Sequence, residues 1–169
     1  MNATELLLDA YGRIREQVHA AVKGVHPEEL AHRPTPHSNS IAWLIWHLTR
    51  VQDDHIADVA ELEQVWTADG WFERFDLPFD PSATGYGQSP AEVASVQVES
   101  GALLTGYFDA VYDQTIAFLR TLNDHDLDRV VDTNWDPPVT LGVRLVSVLD
   151  DDLEHVGQAA FVRGMLKEQ

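Results

Sequence analysis

The stretch Ser40-Ile41-Ala42-Trp43-Leu44-Ile45-Trp46-His47-Leu48-Thr49-Arg50-Val51 decides the fold of this chain. Ile41, Leu44, Ile45, Leu48 and Val51 recur at spacings of three and four, the period of a helix with one apolar face. The same face continues to Val59, so the spacing predicts a helix that starts after Ser38 or Ser40 and runs to about Glu63. Upstream, Leu7, Tyr11, Ile14, Val18 and Val22 predict a first helix from Asn2 to about Lys23. Asn2 and Glu5 have the spacing of a capping box, and Gly24 and Pro27 end the helix. Residues 25–40 carry Pro27, Pro34 and Pro36 and read as a connector, with one short turn at Pro27–Leu30.

Downstream, Ser89-Pro90-Ala91-Glu92 is a helix-start signal: Ser at the cap, Pro at the first helical position, Glu at the third. A short helix there leads into a third long one over about Ala102–Leu122, with Leu104, Tyr107, Phe108, Val111, Ile116 and Phe118 on its apolar face. Asn123–Pro138 is a linker, and Thr140 caps a last helix that runs to about Lys167. No segment reads as a strand. Four long helices with long second and third connections make an all-α four-helix bundle, one domain over residues 1–169. Residues 64–88 are aromatic but aperiodic, with Trp66, Trp71, Phe72, Phe75 and Phe79 among Gly, Pro, Asp and Ser. A connection that long is expected to be a lid or pocket wall, with a small satellite core as the alternative.

Lys and Arg number 11 against 28 Asp and Glu, a formal charge of −17. A surface that acidic repels phosphate backbones and anionic lipid, so nucleic acid is not an expected partner. No apolar run approaches the roughly 18 residues of a membrane span. The N-terminal Met-Asn-Ala-Thr-Glu lacks a basic region and an apolar signal core, and the chain reads as cytoplasmic. Cysteine is absent, which removes disulfides, Cys-based zinc sites and a protein thiol nucleophile.

Bundles build their sites from polar residues on otherwise apolar stripes. His47 sits between Trp43 and Val51 on one stripe of the second helix, with Asp54 further along. Asp151 and His155, four apart, share a face of the last helix, and Arg144 lies two turns before Asp151. A carboxylate and an imidazole at that spacing can reach one ion. Adding His47 gives two histidines and one carboxylate, which suit a divalent transition metal and leave coordination positions open. Asp152 is the rival carboxylate, three from His155 but beside Leu145 and Leu149. Asp54 is a candidate acceptor for the outer nitrogen of His47. An Asp–His pair at this spacing also occurs as a surface ion pair worth little, and the acidic runs at 53–54 and 150–152 also fit solvated faces. His55 reads as a boundary residue. His19, His26, His32, His37 and His125 read as solvated.

At these residues the sequence resembles the DinB/YfiT-like superfamily. Asn39-Ser40-Ile41-Ala42-Trp43-Leu44-Ile45-Trp46-His47-Leu48 is similar to the family's second helix, whose Trp-x-x-x-His element delivers one metal ligand. Asp151-Asp152-Leu153-Glu154-His155-Val156-Gly157-Gln158 is similar to its last helix, which carries His-x-x-x-His or, in a branch that includes mycothiol-dependent enzymes, Glu-x-x-x-His. Asp151 is a departure, one methylene shorter than that Glu. The resemblance implies an up-down-down-up bundle, often a homodimer, with one zinc or nickel ion. It also implies, in some members, a low-molecular-weight thiol such as mycothiol.

On that basis the expected site is His47, Asp151 and His155 around a metal, which makes a nucleophile of an incoming small-molecule thiol for attack on an electrophile. Trp66 and Trp71 are the expected walls for the bound molecules. Arg50, Arg144 and Arg163 are candidates to hold a carboxylate, with Arg144 placed best because it shares the stripe of His155; the alternative for Arg144, of equal weight, is pairing with one of the many carboxylates near it. The alternatives are a metal-dependent hydrolase that uses bound water and a non-catalytic, stress-related metal-binding bundle.

Overall fold

Asn2 opens helix α1 (Ala3–Val22) by accepting the Glu5 backbone N–H at 2.8 Å, while Glu5 accepts the Asn2 N–H at 3.0 Å. The expected capping box is therefore formed. The computed structural model describes residues 1–166. After a single turn, α2 (Pro27–Leu30), comes α3 (Ile41–Ala60), capped by the Ser40 hydroxyl on the Trp43 N–H. Helix α3 stops three residues earlier than the apolar pattern suggests, because Glu61 turns left-handed at φ 57°. Two short helices, α4 (Val65–Ala68) and α5 (Trp71–Phe75), occupy the aromatic connection. Then follow α6 (Pro90–Ser95), with the expected Ser89–Glu92 capping box, and α7 (Gly101–Leu119). The linker after α7 holds a 3-10 turn (Asp124–Asp128) and a two-stranded antiparallel ribbon of β1 (Val130–Asp132) and β2 (Val139–Thr140). Helix α8 (Leu141–Leu166) closes the fold; the expected end at Lys167 lies outside the described residues. The ribbon corrects the reading that no strand is present. Strands of two and three residues are too short for alternation to show.

The four long helices form a ring in the order α1, α7, α3, α8, each packed against its neighbours, with α1 and α3 across the diagonal. Named contacts give the directions. Tyr11 bonds the Leu145 carbonyl and Ala20 receives Arg163, so α1 and α8 run parallel. His55 meets Arg144 whereas His47 meets His155, so α3 and α8 are antiparallel. Thr4 reaches Leu122 and His19 reaches Asp109, so α1 and α7 are antiparallel. The result is an up-down-down-up bundle. Its core runs through Tyr11, Ile14 and Val18 of α1, Leu44, Ile45 and Leu48 of α3, Phe108 of α7 and Leu145 and Val156 of α8. Each large apolar side chain buried there contributes about 1.5–3 kcal/mol. Exposed ion pairs such as Arg13–Asp9 are screened by solvent and add little beside this. Apolar burial therefore sets the helix arrangement, and polar groups inside it need a reason.

Among the described residues, no helix is long and apolar enough to cross a membrane.

Candidate metal centre

The antiparallel crossing of α3 and α8 brings His47 opposite Asp151 and His155. One ligand atom from each of the three lies within 4.8 Å of the other two, and the histidine ring centroids are 4.8 Å apart. His47 is 5% exposed and stacks on Trp43 at 4.4 Å; Asp151 and His155 are half-buried.

The outer nitrogens of both rings are taken. His47 Nδ1 lies 2.5 Å from the Thr84 carbonyl oxygen, and His155 Nδ1 lies 3.0 Å from the Asp151 carbonyl oxygen. A carbonyl only accepts, so each Nδ1 carries the hydrogen and each Nε2 keeps a free lone pair. One Asp151 carboxylate oxygen is buried without a hydrogen-bond partner. Two imidazole lone pairs and an orphaned carboxylate oxygen fit a divalent transition metal. Burial holds the His47 imidazole below the ordinary histidine range, and His155 adds to this against the Thr84 bond and Asp151. The ring is thus kept neutral, the form that ligates.

Asp152 takes no part. It lies wholly inside the bundle toward Tyr11, with neither oxygen hydrogen-bonded, and burial followed by Asp151 pushes its carboxyl far up, so that it stays protonated. Asp54 is not the acceptor for His47 either; it receives Gln64 Nε2 at 2.8 Å, and the Thr84 carbonyl holds the ring instead.

Thr84 belongs to a strap, residues 81–85, laid across α3. Gly85 (φ +98°) packs so closely that a Cβ there would lie 2.6 Å from His47 Nδ1 and 3.0 Å from the Trp46 ring. Arg50 ties the strap down. Its guanidinium, fully buried, donates to the carbonyls of Ala83 (3.1 Å) and Pro81 (3.3 Å), to Gln64 Oε1 (2.9 Å) and to the Tyr107 hydroxyl (3.2 Å). Asp53 beneath it accepts the N–H groups of Val65 and Trp66 and the Tyr107 hydroxyl. It thereby caps α4 from a different helix. Burial raises the Asp53 carboxyl, against these hydrogen bonds and the Arg50 charge.

Beside the triad is a cavity of about 410 Å³. His47, Val51, Asp54 and His55 of α3 form one wall, Ser147 and Asp151 of α8 another, and Thr84 and Tyr86 the mouth. A larger groove of about 960 Å³ lies between α1 and α7, away from the triad.

The other residues singled out in the sequence lie elsewhere. Trp66 is 2% exposed and packs on Phe75, Tyr107 and the Arg50 guanidinium; Trp71 packs on Tyr107 and under Arg74. Both belong to the satellite core of the connection, and the cavity mouth comes from its later part, Thr84 and Tyr86. Arg144 reaches the cavity's edge but donates to Asp132 (3.0 Å) and to His55 Nδ1 (2.8 Å). Arg163 covers the Ala20 and Lys23 carbonyls at the end of α1. Arg50 is fully buried and spends four of its five N–H groups on acceptors inside the protein. Sequence reading missed Thr84 and Gly85; the pair of glycines flanking Tyr86 was the one local signal of a special backbone there.

The family model described as mycothiol-S-transferase matches residues 6–168. No curated protein matches the chain. Among solved structures, that of a conserved protein from Enterococcus faecalis superposes with a TM-score of 0.93 at 31% sequence identity, covering 100% of this chain and 99% of that one.

Proposed function

The chain belongs to the mycothiol-S-transferase family, within the DinB/YfiT-like bundles, and on that premise we propose that it is a metal-dependent transferase that activates a mycothiol-like thiol for attack on an electrophilic small molecule. The observation that carries the reading is the convergence of two free Nε2 lone pairs and an unpartnered Asp151 oxygen beside an open cavity. A zinc or nickel ion held by these three atoms would favour the thiolate form of a thiol at neutral pH.

The chain's own residues do the rest. Thr84 and the Asp151 backbone carbonyl fix both imidazole tautomers, so that no proton competes at Nε2. Three protein ligands leave further coordination positions to the thiol. Val51 and Tyr86 offer surface against which an electrophile can lie. A chain without cysteine takes its sulfur nucleophile from outside.

The test is conjugation of mycothiol to monobromobimane by protein loaded with zinc or nickel. The reading expects a rate above the uncatalysed one that needs the metal and is lost in His155→Ala. Metal binding without any acceleration would favour the non-catalytic alternative.

A further inference from the structure

We propose that the cavity beside the triad selects uncharged or cationic electrophiles and turns away those that carry a carboxylate. This rests on the thiol-transfer reading and adds the class of the second substrate.

Among the described residues, no lysine or arginine lines the cavity. The Arg144 guanidinium at its edge is neutralised by Asp132 at 3.0 Å and spends a second N–H on His55. Arg50 lies behind the strap, fully buried. The charged side chains that face the cavity, Asp54 and Asp151, are carboxylates. Asp54 offers its carboxylate, with a single oxygen engaged by Gln64. The Ser147 hydroxyl donates to the Val143 carbonyl and so presents lone pairs. His55 receives Arg144 at Nδ1 and is therefore neutral, with its hydrogen on Nε2. Burial, then Arg144, holds that ring below the ordinary histidine range.

The two charges of a divalent ion would be offset by Asp151 and the thiolate, leaving no surplus for a second anion. A carboxylate within about 6 Å of Asp54 is disfavoured by about tenfold or more at the effective dielectric of a protein surface, less as salt is raised. An amide, hydroxyl or ammonium meets the same wall as a donor.

Iodoacetamide and iodoacetate share a leaving group and differ in charge. In either reaction the thiol sulfur forms a C–S bond, iodide leaves with the C–I electron pair, and the thiol proton goes to solvent. The protein has no cysteine to consume the reagent. With mycothiol and metal-loaded protein, each catalysed rate is divided by its uncatalysed rate. The expected ratio favours iodoacetamide by about tenfold, and it narrows in Asp54→Asn and at high salt. Equal ratios, or a preference unmoved by both changes, overturn the proposal. A second readout needs no turnover: the His47 and His55 imidazole resonances, titrated with benzamide, benzamidinium and benzoate. The first two should shift them and benzoate should not. A response to benzoate equal to the others, or to none of the three, overturns the proposal. Selective shifts without turnover of either reagent would instead count against thiol transfer and leave charge selection standing.

Discussion

The Thr84 carbonyl oxygen sits 2.5 Å from Nδ1 of His47, and this contact decides which nitrogen of that ring faces Asp151 and His155. A backbone atom 37 positions away thus sets which nitrogen is free to ligate. Second partners of this kind are typically worth a factor of about 10–100 in metal affinity.

Gly85→Ala tests that contact. The new Cβ would fall 2.6 Å from His47 Nδ1, at a φ of +98° that a side chain rarely adopts. The expected result is a fold unchanged by circular dichroism and a zinc affinity lowered by about 10–100-fold, read by chelator competition. An affinity equal to wild type would show that the strap does not position His47.

Arg50→Met tests how the strap is held. The substitution leaves Asp53 buried without its cation and frees the Pro81 and Ala83 carbonyls. Breaking a buried pair from one side costs about 3–5 kcal/mol. Urea unfolding should show a loss of that size, partly recovered in Arg50→Met with Asp53→Asn, because the second change removes the stranded charge. No recovery would mean that the carbonyl contacts, not the ion pair, carry the effect.

His55 supplies a pH dependence. Burial first, and Arg144 second, lower its pKa in the folded state. The folded protein then binds fewer protons than the unfolded chain between the lowered value and the ordinary one. Stability from this group is full above the ordinary histidine range and is lost as pH falls through the window. Arg144→Gln should move the His55 titration upward, toward but not up to the ordinary value, as followed by imidazole NMR. A titration unmoved by the substitution would contradict the Arg144–His55 contact.

Asp152 gives the opposite sign. Its folded pKa is raised by burial, so the folded state holds the extra proton and stability falls as pH rises above the ordinary carboxylate range. Asp152→Asn removes that cost and should raise Tm at neutral pH, at about 2–4 °C per kcal/mol for a chain of this size. The gain should shrink as pH is lowered. A lower Tm at neutral pH would mean that the acid is needed where it stands.

The parts of this molecule that local periodicity encodes were legible in its sequence. The Ile41–Val51 stripe places His47, and a spacing of four places Asp151 under His155. The helix caps at Asn2 and Ser89 were equally readable, and Ser40 was one of two candidates with Ser38, because a cap lies within three residues of what it bonds. What could not be read depends on partners remote in the chain. Asp53 caps α4 from the body of α3, and Trp66 and Trp71 pack on Tyr107 of α7, so of the two readings of this connection the satellite core is the one formed there. Arg144 takes the carboxylate pairing that was the alternative for it, but which partners it meets, Asp132 and His55, had no local signal. The Thr84 carbonyl carries no residue-type signal, since every residue has one.

The most direct measurement of the central claim is metal content by elemental mass spectrometry, on wild type, His47→Ala and His155→Ala, purified without chelator or affinity tag. The account predicts about one zinc or nickel ion per wild-type chain and none in either variant, with all three folded. No metal in the wild type after both ions are offered, or equal content in the variants, would contradict it.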